Sequence, residues 1–278
     1  MSTERVVVGS VEILSVTDGI MPAHPSFLFS GVPPEMYQAA LGDELTAEGT
    51  LPIKRGSFLV RSSGRTILVD TGIGDKNPQL PGGELLSNLE LLSVHPDEID
   101  VVVNTHLHFD HVGWNCVQRN GAFVPTFPKA EYWIARKEWD FWTDPAILSE
   151  EGPHLRTDVL PLKDCPQLHL VDGESAVTPE LTLLPTPGHT PGHCSLSVSS
   201  AGEQAIILGD VAHHPLHLIR FWVAAVDELP RISRRTKRAL AERLIAEQAL
   251  VAGGHFTPDS FGRLVLIDGR RTWQPVER

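Results

Sequence analysis

Several things are scarce in this 278-residue chain. No stretch approaches the roughly 20 consecutive apolar residues of a membrane-spanning helix, so no membrane partner is expected. Cysteine is nearly absent. Cys116, Cys165 and Cys194 are odd in number and far apart, which argues against a disulfide framework and fits free thiols in a reducing compartment. Positive charge is in deficit: 23 Lys and Arg against 35 Asp and Glu leave a formal net charge of −12. That balance argues against a nucleic-acid partner, which needs basic clusters. The one basic run, residues 231 to 238, falls in a predicted helix and reads as its solvated face. The N-terminus has no basic segment followed by an apolar core, so no signal peptide is expected and the chain is expected to be cytoplasmic. Short repeats and low-complexity tracts are missing. So is Gly-x-Ser-x-Gly, which removes a serine nucleophile on an elbow turn.

What is present is mostly strand signal. Residues 6 to 16, 99 to 104, 132 to 135, 168 to 171, 181 to 184, 194 to 198, 205 to 208, 250 to 252 and a last strand at 264 to 267 are short apolar runs. Residues 56 to 70 read as a hairpin turning at Ser62-Ser63-Gly64-Arg65. Helical spacing predicts helices over 85 to 92, from 136 to 142 and over 233 to 250, the last capped by Ser233. Residues 143 to 165 are Pro-rich and read as irregular. Residues 17 to 50 hold Pro22, Pro25, Pro33 and Pro34 beside the apolar Met21, Phe27, Leu28 and Phe29. With little periodicity, that segment reads either as a lid, arm or dimer contact or as a surface loop. The whole is a layered α/β sheet protein with helices outside. A chain of this length builds its core without staples and is expected to form a single domain over 1 to 278.

The chemistry concentrates after residues 101 to 103. His106, His108, Asp110 and His111 fall within six positions. On an extended backbone the first three share a side, and His111 joins them only if the loop bends. Three further apolar runs end in turns offering His189, Asp210 and His255, each preceded by glycine. Imidazole and carboxylate together suit Zn, and also Mn, Fe or Co. A loop so rich in ligands points to two neighbouring cations, which lower the pKa of a shared water toward about 7. The resulting hydroxide attacks a carbonyl or phosphoryl centre, and Asp110 is the candidate to carry its proton to the leaving group.

These motifs resemble the metallo-β-lactamase superfamily: Asp70-Thr71-Gly72, the 106 to 111 loop, Pro187-Gly188-His189, Gly209-Asp210 and Gly254-His255. The resemblance runs from about residue 66 to 267. It implies a four-layer αβ/βα sandwich, here with an N-terminal extension. It also implies a first metal held by His106, His108 and His189, a second held by Asp110, His111 and His255, and Asp210 bridging them. Asp70 would support the ligand loop. Zinc is the metal this family leads one to expect.

Within the superfamily, common β-lactamases place cysteine where Asp210 stands, flavodiiron proteins replace His108 by Glu, and ribonuclease Z needs a basic arm. Hydroxyacylglutathione hydrolases add a helical domain for which the 68 residues after Asp210 leave little room. The phrases around His106 and Asp210 look closest to N-acyl-homoserine lactonases, arylesterases and methyl parathion hydrolase-like phosphotriesterases. Those lactonases carry tyrosine where this chain has His213, which becomes the candidate to orient a substrate carbonyl. The expected activity is hydrolysis of lactones or carboxylic esters of small molecules. The alternatives are phosphotriester hydrolysis, slow β-lactam hydrolysis, or a metal-binding sensor without turnover. Candidate pocket residues are Phe27, Phe29, Phe109, Trp114, Trp139, Trp142, His213, His214, Phe221 and Trp222. The resemblance also implies a homodimer.

Overall fold

The computed structural model describes residues 4–276 apart from 78, 81 and 151. Its central strand, Val101–Val103, is buried on both faces because each face meets a different core. Val101 and Val103 point between two sheets, while Val102 points to an outer layer of helices. That double burial explains the unbroken valine run.

The first sheet has seven strands in the order Arg5–Val8, Val11–Ala23, Leu51–Ser62, Arg65–Val69, Val101–Val103, Glu131–Ala135 and Leu168–Val171. The first four form an antiparallel meander, and the remaining pairings are parallel. The second sheet, also of seven, runs Ser175–Ala176, Leu181–Pro185, Cys194–Ser200, Glu203–Ile207, Leu250–Ala252, Phe261–Ile267 and Arg270–Pro275. Only Glu203–Ile207 and Leu250–Ala252 pair in parallel there. Cys116–Arg119 and Ala122–Pro125 make a separate ribbon.

The sheets face each other across a core that includes Ile13, Phe58, Ile67, Leu183, Leu196 and Ile207. Leu85–Leu91 and Arg136–Trp142 cover the outer face of the first sheet. Pro230–Ala246 covers the second through Leu240, Ala241 and Leu244. The layers therefore run helix, sheet, sheet, helix, as expected. No helix among the described residues is long and apolar enough to cross a membrane. All three cysteines are free thiols.

Several local expectations need correcting. Residues 17 to 23 are not loop; they complete Val11–Ala23, which pairs down to Ala23 opposite Leu51 after a register shift between Thr17 and Ile20. Beyond it the arm forms two short helices, Pro25–Leu28 and Pro34–Leu41, each with proline at its start, where no backbone N–H is needed. Leu28 and Phe29 are fully buried rather than exposed. Residues 143 to 165 also fold into short helical turns, Pro145–Glu150, Leu155–Val159 and Leu160–Leu162. The long helix starts at Pro230, so Ser233 lies inside its first turns and not at the cap. Phe261–Ile267 is not the last strand, because Arg270–Pro275 folds back on it.

Candidate metal centre

Strand ends bring the ligand-type residues together. Within each sheet, the strands preceding these residues run the same way. Asp70 follows Arg65–Val69, and the 106 to 111 loop follows Val101–Val103. His189, Asp210 and His255 follow Leu181–Pro185, Glu203–Ile207 and Leu250–Ala252. The 106 to 111 loop does bend, winding into the helical turn Phe109–Val112, and this brings the His111 ring to 4.0 Å from that of His106, with Asp110 beside His111. Gly209 sits at φ 56°, and a Cβ there would lie 2.7 Å from His193 Nε2. Gly254 answers to a different need: a Cβ there would approach the Gly56 carbonyl oxygen at 2.8 Å.

Two groups of donor atoms result. His108 Nδ1 lies 3.1 Å from His106 Nε2 and 2.9 Å from His189 Nε2. Asp210 Oδ2 faces this group, 3.3 Å from His189 Nε2 and 3.7 Å from His106 Nε2. Asp210 Oδ1 faces the other, 3.0 Å from His255 Nε2 and 3.3 Å from His111 Nε2. Asp110 Oδ1 stands 3.9 Å from His111 Nε2. Donor atoms of His106, His108, His189 and Asp210 all fall within 4.8 Å of one another, as do those of Asp110, His111 and His255. Asp210, His213 and His255 form a third such set.

The first group's nitrogens lie within hydrogen-bond distance of one another, whereas the second group converges without satisfying itself. His111 Nε2, His255 Nε2 and Asp210 Oδ1 are buried and make no hydrogen bond. Polar atoms buried in this way are costly unless something pairs them. Burial, reinforced by neighbouring imidazoles, holds His106 and His108 well below the ordinary histidine range, so their lone pairs are available. Burial pushes the Asp210 carboxyl up, but His111, His255 and His213 outweigh it and hold the group well below the carboxylate range. An ionised carboxylate between two sets of imidazole nitrogens, those of His111 and His255 unpartnered, fits a pair of divalent cations, one in each set.

A sequence profile described as the metallo-beta-lactamase superfamily matches residues 56–261, a span that holds every residue of both groups. The chain belongs to the metallo-β-lactamase superfamily. An N-acyl homoserine lactonase from a Bacillus species is 25% identical over 242 residues, covering 78% of this chain and 87% of its own length. Among solved structures, hydrolase AbOPH of the β-lactamase superfamily has TM-score 0.86 at 23% identity, over 99% of this chain and 98% of its own. AidC, described as a dizinc quorum-quenching lactonase, has TM-score 0.83 at 22% identity, over 100% and 98%. At such identities the structural likeness speaks for the metallo-β-lactamase fold.

In this superfamily member the ligand loops rest on a network that was only partly legible in the sequence. Asp70 accepts from Thr105 N at 2.7 Å and Thr105 Oγ1 at 2.8 Å, and lies 2.8 Å from His111 Nδ1. Glu138, fully buried, ties two loops together. It accepts from Leu107 N and Trp142 Nε1 on one oxygen and from Thr190 Oγ1 and Gly192 N on the other. His193 accepts from Asp210 N at 2.9 Å, and burial pushes its pKa down to about 3, so it is neutral. His255 Nδ1 meets the Lys54 carbonyl at 2.6 Å. Asp227 and Lys237 stand behind His189. Lys237 corrects the reading of residues 231 to 238 as a solvated face: four arginines there are exposed, but Lys237 is buried. The missed signal was its spacing, since Lys237 falls on the inward stripe with Leu240, Ala241 and Leu244.

The pocket candidates divide. His213 belongs with the site: its Nε2 is 3.1 Å from Asp210 Oδ2, and its ring stacks on His255. Trp142 meets His108 edge-on at 5.2 Å. Phe27 and Phe109 are exposed, with Phe109 between His108 and Asp110 in the loop. Others are core. Phe29 packs under Trp222, His214 and His217. Trp114 and Trp139 fill the outer core of the first sheet, and Trp114 donates to Asp18. Phe221 packs in the core of the second sheet between Arg238 and Arg271. His214 turns to Glu44 at 2.8 Å, tying the arm to the loop after Asp210.

Proposed function

We propose that this chain is a metal-dependent hydrolase that opens lactones or cleaves carboxylic esters of small molecules at a dinuclear centre. The observation that carries the reading is Asp210, whose two oxygens face two separate sets of donors, with His111 Nε2 and His255 Nε2 left unpartnered. His106, His108 and His189 would hold one cation, Asp110, His111 and His255 the other, with Asp210 shared. Zinc suits the set, as Mn, Fe or Co also would. Bound there, a cation pair supplies Lewis acidity and makes a water acidic enough to be a nucleophile at neutral pH.

The chain's own groups do the rest. Asp110 is half-buried beside His111, placed to take a proton from that water and hand it to the departing alkoxide. His213 presents its ring next to both sets and is assigned the orientation of the substrate carbonyl. The exposed ring of Phe109 offers an apolar seat for an acyl or aryl group. The lactonase relative, which is similar over most of its length, supports an ester-type bond as substrate.

The test is kcat/KM of the zinc-loaded protein on an acyl-homoserine lactone, an aliphatic lactone, an aryl ester, an aryl phosphotriester and a β-lactam. The expected leader is a lactone or the aryl ester. Asp110→Asn is expected to lower kcat on that substrate by about 10²–10⁴. A leading phosphotriester would transfer the same centre to phosphoryl chemistry. Negligible rates on the whole panel with metal bound would defeat the hydrolase reading.

A further inference from the structure

Behind the first cluster lies a buried charge pair to which the proposed chemistry gives no part. Asp227 and Lys237 side chains are both 0% exposed and 2.7 Å apart. Asp227 Oδ1 faces His189 Nδ1 at 3.1 Å. Its other oxygen accepts from Lys237 Nζ and Ser233 Oγ at 2.7 Å and from Ala224 N at 3.1 Å. Lys237 Nζ also bonds Ser233 Oγ at 2.6 Å.

The surrounding backbone is built for this arrangement. Glu228 N and Leu229 N bond the carbonyls of His189 and Gly188, and Thr236 Oγ1 bonds that of Pro187. Gly188 sits at φ 140°, where a Cβ would lie 2.3 Å from Ser233 Cα. The start of the long helix is thus pressed against the very turn that presents His189. An apolar side chain at 237 would serve the packing as well or better, since burying an ion pair is rarely worth its desolvation.

We propose that Asp227 and Lys237 act as positioning residues for His189, Asp227 fixing the proton on Nδ1 so that Nε2 keeps its lone pair for the cation, and Lys237 anchoring Asp227 in place. A neutral imidazole carries one proton, and an acceptor at one nitrogen decides where it sits. The contrast with His111 sharpens the point. Its carboxylate, Asp70, is held by Thr105 N and Oγ1 rather than by a cation. The two clusters therefore differ in the charge behind them.

This inference rests on His189 being a ligand, so His189→Ala is run beside the pair variants. The measurements are metal content, zinc affinity by chelator competition, and the visible spectrum of the cobalt-loaded protein. Lys237→Met is expected to lose about 10–100-fold in affinity at one of two sites and to change the cobalt bands. Asp227→Asn with Lys237→Met leaves no charge uncompensated. It carries the test if the single variant does not fold, and it is expected to keep the same affinity loss. A folded pair variant with parental affinity and cobalt spectrum overturns the proposal. If His189→Ala loses one equivalent of metal while the pair variants keep the parental affinity, only the positioning role falls. If His189→Ala keeps both, the ligand reading falls first.

Discussion

Glu138 shows how much a single side chain can hold. Its two oxygens take four donors from both sides of the first cluster. Burial pushes this carboxyl up, and the four donors oppose it. Glu138→Gln would set an amide nitrogen against two of those donors, so a loss of about 2–3 kcal/mol is expected in denaturant unfolding. An unchanged midpoint would show that the loops are held elsewhere. Gly209→Ala is the backbone counterpart. It adds a left-handed alanine and a contact of 2.7 Å with His193 Nε2, for about 3 kcal/mol and a displaced Asp210. At this scale the sequence showed the ligand-type residues because a strand end, a glycine and a histidine or aspartate are local. Glu138 and Asp227 were not legible. Each acts on a loop far along the chain, 52 residues away for Glu138 and Thr190, and nothing local marks such a partner.

Elements carry the next set of consequences. The arm is anchored to the segment beyond Asp210 by two side-chain contacts and by the backbone bonds Ser30 N to the Val223 carbonyl and Ala225 N to the Phe27 carbonyl. Glu44 meets His214, and His217 Nε2 donates to the Leu28 carbonyl while its Nδ1 accepts from His213 N. Phe29, wholly buried among Tyr37, His214, His217 and Trp222, is its keystone. Phe29→Ala is expected to cost about 3–5 kcal/mol, which would rank it with core positions rather than pocket linings. Proline content made the arm read as featureless, when two of its prolines start helices and its apolar residues are its anchor. The turn Leu155–Val159 makes a pH prediction. Burial pushes Asp158 up to about 6 from an ordinary 3.8, against the pull of Lys76. A carboxyl raised on folding favours the native state in its protonated form. That contribution is complete below about pH 4 and is lost as pH rises through about 6, a swing of about 3 kcal/mol. Asp158→Asn should flatten this part of the stability profile, and a parental slope between pH 4 and 6 would refute the assignment.

For the whole molecule, the layer order followed from the alternation of apolar strands with a few helices. The edges did not. Arg270–Pro275 has no inward face as apolar as the central strands and escaped notice, its pattern being half-exposed throughout. Cations at the proposed centre would join the two sheets, so their removal should loosen the entire sandwich. Treatment with a chelator is expected to lower Tm by on the order of 10 °C, with recovery on adding zinc. An unchanged Tm would mean that the donors contribute nothing as a crosslink. The order of these donors along the chain also has a bearing on biosynthesis. His106 to His111 leave the ribosome well before His255 is made. Between them lie five of the second sheet's seven strands, so a chain made only through the first sheet has one side of a cage and no lid. The nascent protein must keep a histidine-rich loop waiting until Asp210 and His255 have been made. A cation pair would therefore be installed only after residue 255 has been made, and a chain truncated before it is expected to hold no stable second cation.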